Sequence, residues 1–200
     1  MIWTVKDIIQ ETDHPYLNFF TFVFAVQGED GQEKEYRYFV ASRNDKEHLR
    51  IKTQDYHRPD GVVMALYRKR DGHIEMLMTK QFRPALGRRL ISFPAGLLEI
   101  DDDVISAAKR EAQEEGGVII DHVELLAPSS PTSSGLSDEM VSVVLGEIVD
   151  YADRHLEAFE DIATEYVDLA DVPALLSDER KTVPLNVRLV LLYLRERFGY

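Results

Sequence analysis

Three glutamates near the middle of the chain have a spacing that suits a metal ion. Glu111 and Glu115 are four residues apart, and Glu114 follows Glu111 by three. On a helix these positions share one face, where like charges repel by roughly a few tenths of a kcal/mol per pair. Arg110, four residues before Glu114, can relieve part of that repulsion. Clustered carboxylates are ligands that suit Mg²⁺, so this face is either a cation site or a solvated acidic surface.

The residues around these glutamates predict the helix that would position them. Val104, Ala108 and Ala112 recur every four residues, which is the period of one helical face. The acidic run 101–103 supplies an N-cap and a negative charge at the positive end of the helix dipole. The two glycines at 116–117 are typical of a helix end. The carboxylates and the apolar stripe are therefore expected on opposite faces of one helix.

Most of the remaining chain has the alternating or continuously apolar patterns of β-strands, separated by turn residues. The predicted strands cover residues 19–26, 35–41, 61–67, 74–79, 90–93, 122–126, 141–148 and 163–169. A final helix is predicted over 185–198. Strands mixed with a few helices predict an α/β fold, in which a mixed sheet carries helices on both faces.

The composition of the 200-residue chain is that of a globular protein, with 44% apolar residues and a formal net charge of −13. Such a charge repels nucleic acid and anionic membranes, and the basic residues at 68–70 and 88–89 are too scattered to form a nucleic-acid-binding stripe. The absence of cysteine excludes disulfides, thiolate nucleophiles and zinc–sulfur sites, and fits a cytoplasmic protein. The first residues lack the pattern of a signal peptide, and no apolar run approaches the roughly 18 residues of a membrane span.

Other catalytic motifs are missing from the sequence. The six histidines have no metal-ligand spacing. Ser137 lacks the second glycine of a nucleophile elbow. Neither a P-loop nor a dinucleotide-binding glycine motif is present. The glutamate helix is therefore the strongest candidate for a functional centre.

The segment 96–118 resembles the Nudix box, the signature of the Nudix hydrolase family. That box reads Gly, five residues, Glu, seven residues, Arg-Glu, an aliphatic residue, any residue, Glu-Glu, any residue, Gly and an aliphatic residue. The matching positions are Gly96, Arg110, Glu111, Glu114, Glu115, Gly117 and Val118. Two positions depart: Asp102 replaces a Glu and is one methylene shorter, and Ala112 is a small version of the aliphatic residue. The metal-binding glutamate positions are intact.

The resemblance implies a Nudix α/β/α sandwich with a catalytic loop–helix–loop. In this family the glutamates of the box hold Mg²⁺ together with a backbone carbonyl just before the first glycine. Those roles fall on Glu111, Glu115 and the carbonyl of Ala95, with Glu114 assisting and Arg110 orienting a glutamate. Mn²⁺ is an alternative ion. The metal would neutralise a diphosphate, activate a water and stabilise the departing phosphate.

Two further segments resemble the ADP-ribose pyrophosphatase branch of the family. Residues 80–84 have its Gln-aromatic-Arg strand end, and 94–96 have its Pro-Ala-Gly approach to the box. Residues 130–139 resemble its Ser-Pro-Gly loop with a downstream Glu, interrupted by three extra residues. With these segments the likeness extends over roughly residues 60–170. Arg83 is then a candidate for a phosphate contact, and a surface arginine at a strand end is the alternative.

The same branch supplies a further glutamate from a loop well after the box. Two candidates lie in residues 155–162. Glu160 is favoured as a metal ligand because it leads directly into a predicted strand, and Glu157 as the base that deprotonates water. A solvent-facing acidic loop is the alternative interpretation.

In this branch the N-terminal strands form a small antiparallel β subdomain that pairs or swaps across a two-fold dimer. The resemblance thus implies a β subdomain over residues 1–57, used in dimerisation and substrate contacts, and a Nudix hydrolase domain over 58–200. It also implies a homodimer. The apolar face of the 19–41 hairpin would fit such an interface, although packing on its own domain would cover it equally well.

The function expected from the resemblance is Mg²⁺-dependent hydrolysis of ADP-ribose or a related nucleoside diphosphate sugar. The products would be a nucleoside monophosphate and a sugar phosphate. NADH, GDP-mannose and dinucleoside polyphosphates are alternative substrates. An alternative from another class is a nucleotide sensor of the same fold that binds without cleaving. Glu111 and Glu115 argue against the sensor, because their repulsion destabilises the helix and a protein that binds no catalytic metal has no need to keep both.

Overall fold

The computed structural model of the chain describes residues 1–156 and 160–200. The chain divides into two compact units, one formed by residues 1–60 with 129–141 and the other by residues 61–128 with 142–200. In the part of the chain that is described, no helix is both long and apolar enough to cross a membrane.

The first unit is built on a three-stranded antiparallel sheet in the order β1–β2–β3. Its elements are β1 (Ile2–Gln10), β2 (Asn18–Gln27), β3 (Glu33–Ser42) and the short helix α1 (Arg50–Thr53). One face of the sheet forms a small core, made by Ile8, Phe20, Phe22, Val40 and Leu49. The hairpin between β2 and β3 turns at Gly31, whose φ of 74° favours glycine.

Residues 129–141 complete the first unit although they come late in the chain. The backbone N–H of Ala41 donates to the carbonyl of Leu136 at 2.8 Å. The buried guanidinium of Arg50 pairs with Asp60 at 2.9 Å and donates to the backbone carbonyl of Asp138 at 2.8 Å. These contacts join the later segment to β3 and to α1.

The second unit contains the larger sheet, apart from its residues 129–131 and 140–141, and the remaining helices. Its strands are β4 (Gly61–Arg70), β5 (His73–Arg83), β6 (Arg88–Ser92), β7 (Ala95–Leu97), β8 (Val118–Pro131), β9 (Met140–Tyr151) and β10 (Ile162–Asp168). Its helices are α2 (Val104–Glu114), α3 (Val172–Ser177) and α4 (Leu185–Arg197). The strand order is β10–β5–β4–β9–β8, with β6 paired to β5 and β7 paired to β4.

Alternating side chains on the central strands build a core on each face of this sheet. Ala65 and Tyr67 of β4 belong to the core that includes α3 and α4, whereas Met64 and Leu66 belong to the core that includes α2. This follows from the two-residue period of a strand. The predicted α/β fold, with a mixed sheet, helices on both faces and a small N-terminal antiparallel sheet, is confirmed.

The predicted glutamate helix is α2, and both of its ends lie where the sequence predicts them. The side chain of Asp103 accepts hydrogen bonds from the backbone N–H groups of Ile105 and Ser106, each at 2.8 Å. After the last turn, Gly117 has a φ of 65° and donates its N–H to the carbonyl of Gln113. Capping and glycine chemistry therefore fix the length of the helix.

Candidate active site

The carboxylate of Glu115 is directed into the protein at the C-terminal end of α2. The residue is only 7% exposed, and its Oε2 accepts a hydrogen bond of 3.0 Å from the backbone N–H of Ala95. Ala95 begins β7, which pairs with β4. The helix end is thus joined to the strand whose first carbonyl is predicted to share the metal site.

Glu111 lies one turn earlier on α2, and its side chain contacts the backbone of Gly96. A Cβ atom on Gly96 would lie 1.9 Å from Cδ of Glu111 and 2.1 Å from its Oε1. Any side chain at this position would therefore displace the carboxylate. The first glycine of the motif is needed because β7 passes so close to the helix.

Arg110 binds the acidic residues of the motif to one another. One terminal nitrogen lies 2.8 Å from Oε1 of Glu111 and 3.2 Å from Oε2 of Glu114. The other donates to Oδ2 of Asp102 at 2.9 Å and to the carbonyl of Leu97 at 3.2 Å. The shorter aspartate in the motif therefore still reaches the helix. Arg110 in turn holds the pKa of the Asp102 carboxyl below its usual range.

The electrostatics of the site favour bound protons or cations. Burial raises the pKa of Glu115 to about 7, against the effect of the hydrogen bond from Ala95. The charges of Glu111 and Glu160 act in the same direction as burial, and Arg83 opposes them. Burial also raises the pKa of Glu111. Carboxylates of like charge are thus held near one another with restricted access to water.

The loop before β10 brings a further carboxylate to this region. Glu160 is partly buried, and its charge affects the pKa values of both Glu111 and Glu115. The next residue, Asp161, forms an ion pair with Arg89 of β6. Glu157, the predicted base, lies outside the described residues.

Arg83 and Glu114 are the more exposed of the predicted site residues. Arg83 ends β5 and is exposed, near enough to Glu115 for its charge to lower the pKa of that carboxyl. The side chain of Glu114 is 41% exposed and is held by Arg110. Arg83 therefore has a position from which it could contact an anion approaching Glu115.

Arg154 is a site-adjacent residue that the sequence does not single out. Its guanidinium donates from Nε to the carbonyl of Glu115 at 2.7 Å and from Nη2 to the carbonyl of Ile162 at 2.9 Å. Glu115 and Ile162 are far from each other in the chain, so no local motif predicts these bonds. In the sequence it is only a basic residue among scattered acidic ones, with Asp153 next to it.

The carboxylates at this place are of the chemical type that hard divalent cations bind, although those in the described part of the chain are not arranged around a common point. Among the described residues, no three His, Asp or Glu side chains converge as a ready-made metal cage. Glu111 is paired with Arg110, and Glu115 accepts from the backbone of Ala95. However, buried carboxylates that repel one another and have raised pKa values need a compensating charge, and oxygen donors suit hard cations such as Mg²⁺.

Comparisons with known proteins show what this chain is similar to. Residues 56–185 match the family model described as the NUDIX domain. The chain is 34% identical over 123 residues to the ADP-ribose pyrophosphatase of Bacillus subtilis, covering 62% of each protein. It is 32% identical over 99 residues to the ADP-sugar pyrophosphatase of Mus musculus, covering 49% of this chain and 45% of that protein. The aligned regions thus span less than two thirds of these relatives.

The crystal structure of an ADP compounds hydrolase has the same fold. It superposes on this chain with a TM-score of 0.71 at 16% sequence identity, covering 100% of this chain and 95% of the other. At that identity the likeness concerns the fold alone.

Proposed function

Because the chain belongs to the NUDIX family, we propose that it hydrolyses the diphosphate of ADP-ribose or a related nucleoside diphosphate sugar. The products are a nucleoside monophosphate and a sugar phosphate. The observation that carries the proposal is the buried carboxylate of Glu115, held against Ala95 beside a second glutamate of the same helix, Glu111. The names of the two relatives support the choice of ADP-ribose and ADP-sugars as substrates.

The residues that would hold Mg²⁺, or Mn²⁺ in its place, are Glu111, Glu115, Glu160 and the carbonyl of Ala95. When bound, a divalent cation offsets the charge of the diphosphate and lowers the pKa of a water molecule. The chain has a formal net charge of −13 and would repel an anionic substrate. A bound cation would reduce this repulsion at the site.

The chain's own residues orient and supplement these ligands. Arg110 keeps Glu111 in place through the 2.8 Å ion pair and also draws Glu114 to the same side. Arg83 is proposed to contact a phosphate oxygen, because it lies exposed beside the carboxylates at the end of β5. Glu157 is proposed as the base that accepts the proton of the attacking water.

A panel of substrates tests the proposal directly. ADP-ribose, GDP-mannose, UDP-glucose, NADH and a dinucleoside polyphosphate are incubated with Mg²⁺ or with EDTA, and phosphate-ester products are measured. We expect metal-dependent cleavage with a preference for ADP-ribose. In Glu115→Gln, kcat should fall by orders of magnitude because a ligand is lost. The matched control Glu179→Gln changes an exposed glutamate of the same unit and should keep its activity.

The panel also separates the proposal from its alternatives. Metal-dependent cleavage of another member of the panel would change the substrate but keep the reaction. Ligand binding without turnover of any member would favour a nucleotide sensor. Full activity of Glu115→Gln would contradict the assignment of the metal ligands.

We also propose that the protein is a homodimer that associates through the first unit. The sheet of that unit exposes large apolar side chains, which a stable monomer would more often cover. Trp3 is 52% exposed and Tyr36 is 46% exposed, and their rings meet edge to face with centroids 5.5 Å apart. They border a cleft of about 350 Å³ whose lining is mostly aromatic and aliphatic.

A further inference from the structure

Arg154 connects the C-terminal end of α2 to the start of β10 with one side chain. Its Nε lies 2.7 Å from the carbonyl oxygen of Glu115, and its Nη2 lies 2.9 Å from that of Ile162. The first partner carries the buried carboxylate of the site, and the second follows Glu160 by two residues. A planar guanidinium can span two acceptors in this way because its donors have a fixed geometry.

The neighbouring backbone makes room for this side chain and supports its position. A Cβ atom on Gly117 would lie 2.6 Å from Cγ of Arg154, so the glycine allows the arginine stem to pass across the helix end. Around it, the N–H of Ala152 donates to the carbonyl of Gly117 at 3.0 Å, and the N–H of His155 donates to that of Glu114 at 3.1 Å.

These bonds satisfy carbonyls that a helix end would otherwise leave without partners. The last four carbonyls of a helix accept no hydrogen bond from within the helix. A positive charge near them is favourable because this end of the helix dipole is negative. Here the carbonyls of Glu114 and Glu115 both accept from residues 154–155. The start of β10, two residues after Glu160, is therefore tied through Arg154 to the end of the helix that carries the other carboxylates.

We propose that Arg154 is a positioning residue that fixes Glu160 relative to Glu111 and Glu115. This inference rests on the proposed function, because it concerns the same set of ligands. Arg154 bonds to backbone carbonyls and takes no part in the chemistry itself. Its removal should leave every ligand present while loosening their relative placement, which in other metal sites lowers metal affinity or activity by about 10–100-fold.

The test compares Arg154→Met with Arg188→Met, a matched control. Arg188 also bridges two backbone carbonyls, those of Val183 at 3.1 Å and Leu176 at 2.9 Å, but it does so from α4. Amide hydrogen exchange is measured over residues 160–163 in both variants. We expect about tenfold faster exchange there in Arg154→Met and no change in Arg188→Met. Unchanged exchange in Arg154→Met would overturn the positioning role.

Mn²⁺ binding, followed by electron paramagnetic resonance, provides a second measurement that does not depend on turnover. We expect Arg154→Met to bind Mn²⁺ about tenfold more weakly than Arg188→Met, with a fall in kcat larger than any rise in KM. Arg154→Lys keeps the charge but cannot span both carbonyls, so it should lie between wild type and Arg154→Met. If Arg154→Met does not fold, Arg154→Lys replaces it in both measurements.

The two proposals fail in different ways. Wild-type protein that neither binds Mn²⁺ nor cleaves any diphosphate would overturn the proposed function. Wild-type protein that does both, with Arg154→Met equal to Arg188→Met in exchange and in Mn²⁺ affinity, would overturn only the role of Arg154.

Discussion

The carboxylate of Glu115 links the stability of the protein to its chemistry. It is buried at the end of α2 and accepts a hydrogen bond from Ala95, yet its pKa is raised to about 7 because burial disfavours its charge. A carboxyl group with a raised pKa binds its proton more tightly in the folded chain than in the unfolded chain. Its protonated form is therefore the one that stabilises the metal-free fold.

A pH dependence of stability follows from this raised pKa. The contribution of Glu115 is fully present below its ordinary value of 4.5 and is lost as the pH rises through about 7. The difference is on the order of 3 kcal/mol at most. Urea unfolding of the EDTA-treated protein at about pH 5 and about pH 8 measures it, and we expect a lower free energy of unfolding at the higher pH.

The variant Glu115→Gln isolates this contribution from those of other groups. Its free energy of unfolding should fall less between the two pH values than that of wild type, because Gln does not ionise. Saturating Mg²⁺ should make the free energy of unfolding of the wild type fall less between the two pH values, because a cation stabilises the ionised carboxylate. Equal pH dependence of the two proteins would show that Glu115 is not the group responsible.

The approach of β7 to α2 is the contact between elements that the site needs most. Gly96→Ala places a Cβ atom within 1.9 Å of the Glu111 side chain, so that carboxylate must move. We expect kcat to fall by at least about tenfold, with weaker Mn²⁺ binding. The matched control is Gly135→Ala, where an added Cβ would meet nothing within 4 Å. Equal activity of the two variants would contradict the proposed role of Glu111.

The elements that the sequence predicts well are those whose pattern is local. The period of Val104, Ala108 and Ala112, together with the cap at Asp103, predicts α2 and its ends. No separate strand is predicted over 2–10, because the register shift between Val5 and Asp7 interrupts the alternation of β1. The six-residue α3 is too short to have a visible period.

The candidate site was predictable where the motif is contiguous and unpredictable where contacts are distant. Spacing alone places Glu111 and Glu115 on one face of a helix. The reach of Asp102 to Arg110 depends on how the loop folds back, which the sequence does not specify. Arg154 bonds to Glu115 and Ile162, which are 39 and 8 positions away from it in the chain. Pairs at such separations leave no periodic pattern in the sequence.

For the molecule as a whole, the main prediction concerns its association in solution. Light scattering at micromolar concentration should give the mass of two chains. Trp3→Ser should shift the protein toward the monomer because it removes an exposed ring from the first unit, whereas Tyr16→Ser, at a residue 80% exposed outside the strands, should not. A monomeric wild-type protein would refute the dimer.

The division of the chain into its two units has a consequence for recombination between related genes. The first unit is encoded by two separate stretches, residues 1–60 and 129–141. A single crossover near residue 60 would combine the N-terminal sheet of one parent with residues 129–141 of the other. The partners of Ala41 and Arg50, which are Leu136 and Asp138, would then come from a different ancestor. Exchange of the whole first unit therefore requires crossovers at all three boundaries, near residues 60, 128 and 141.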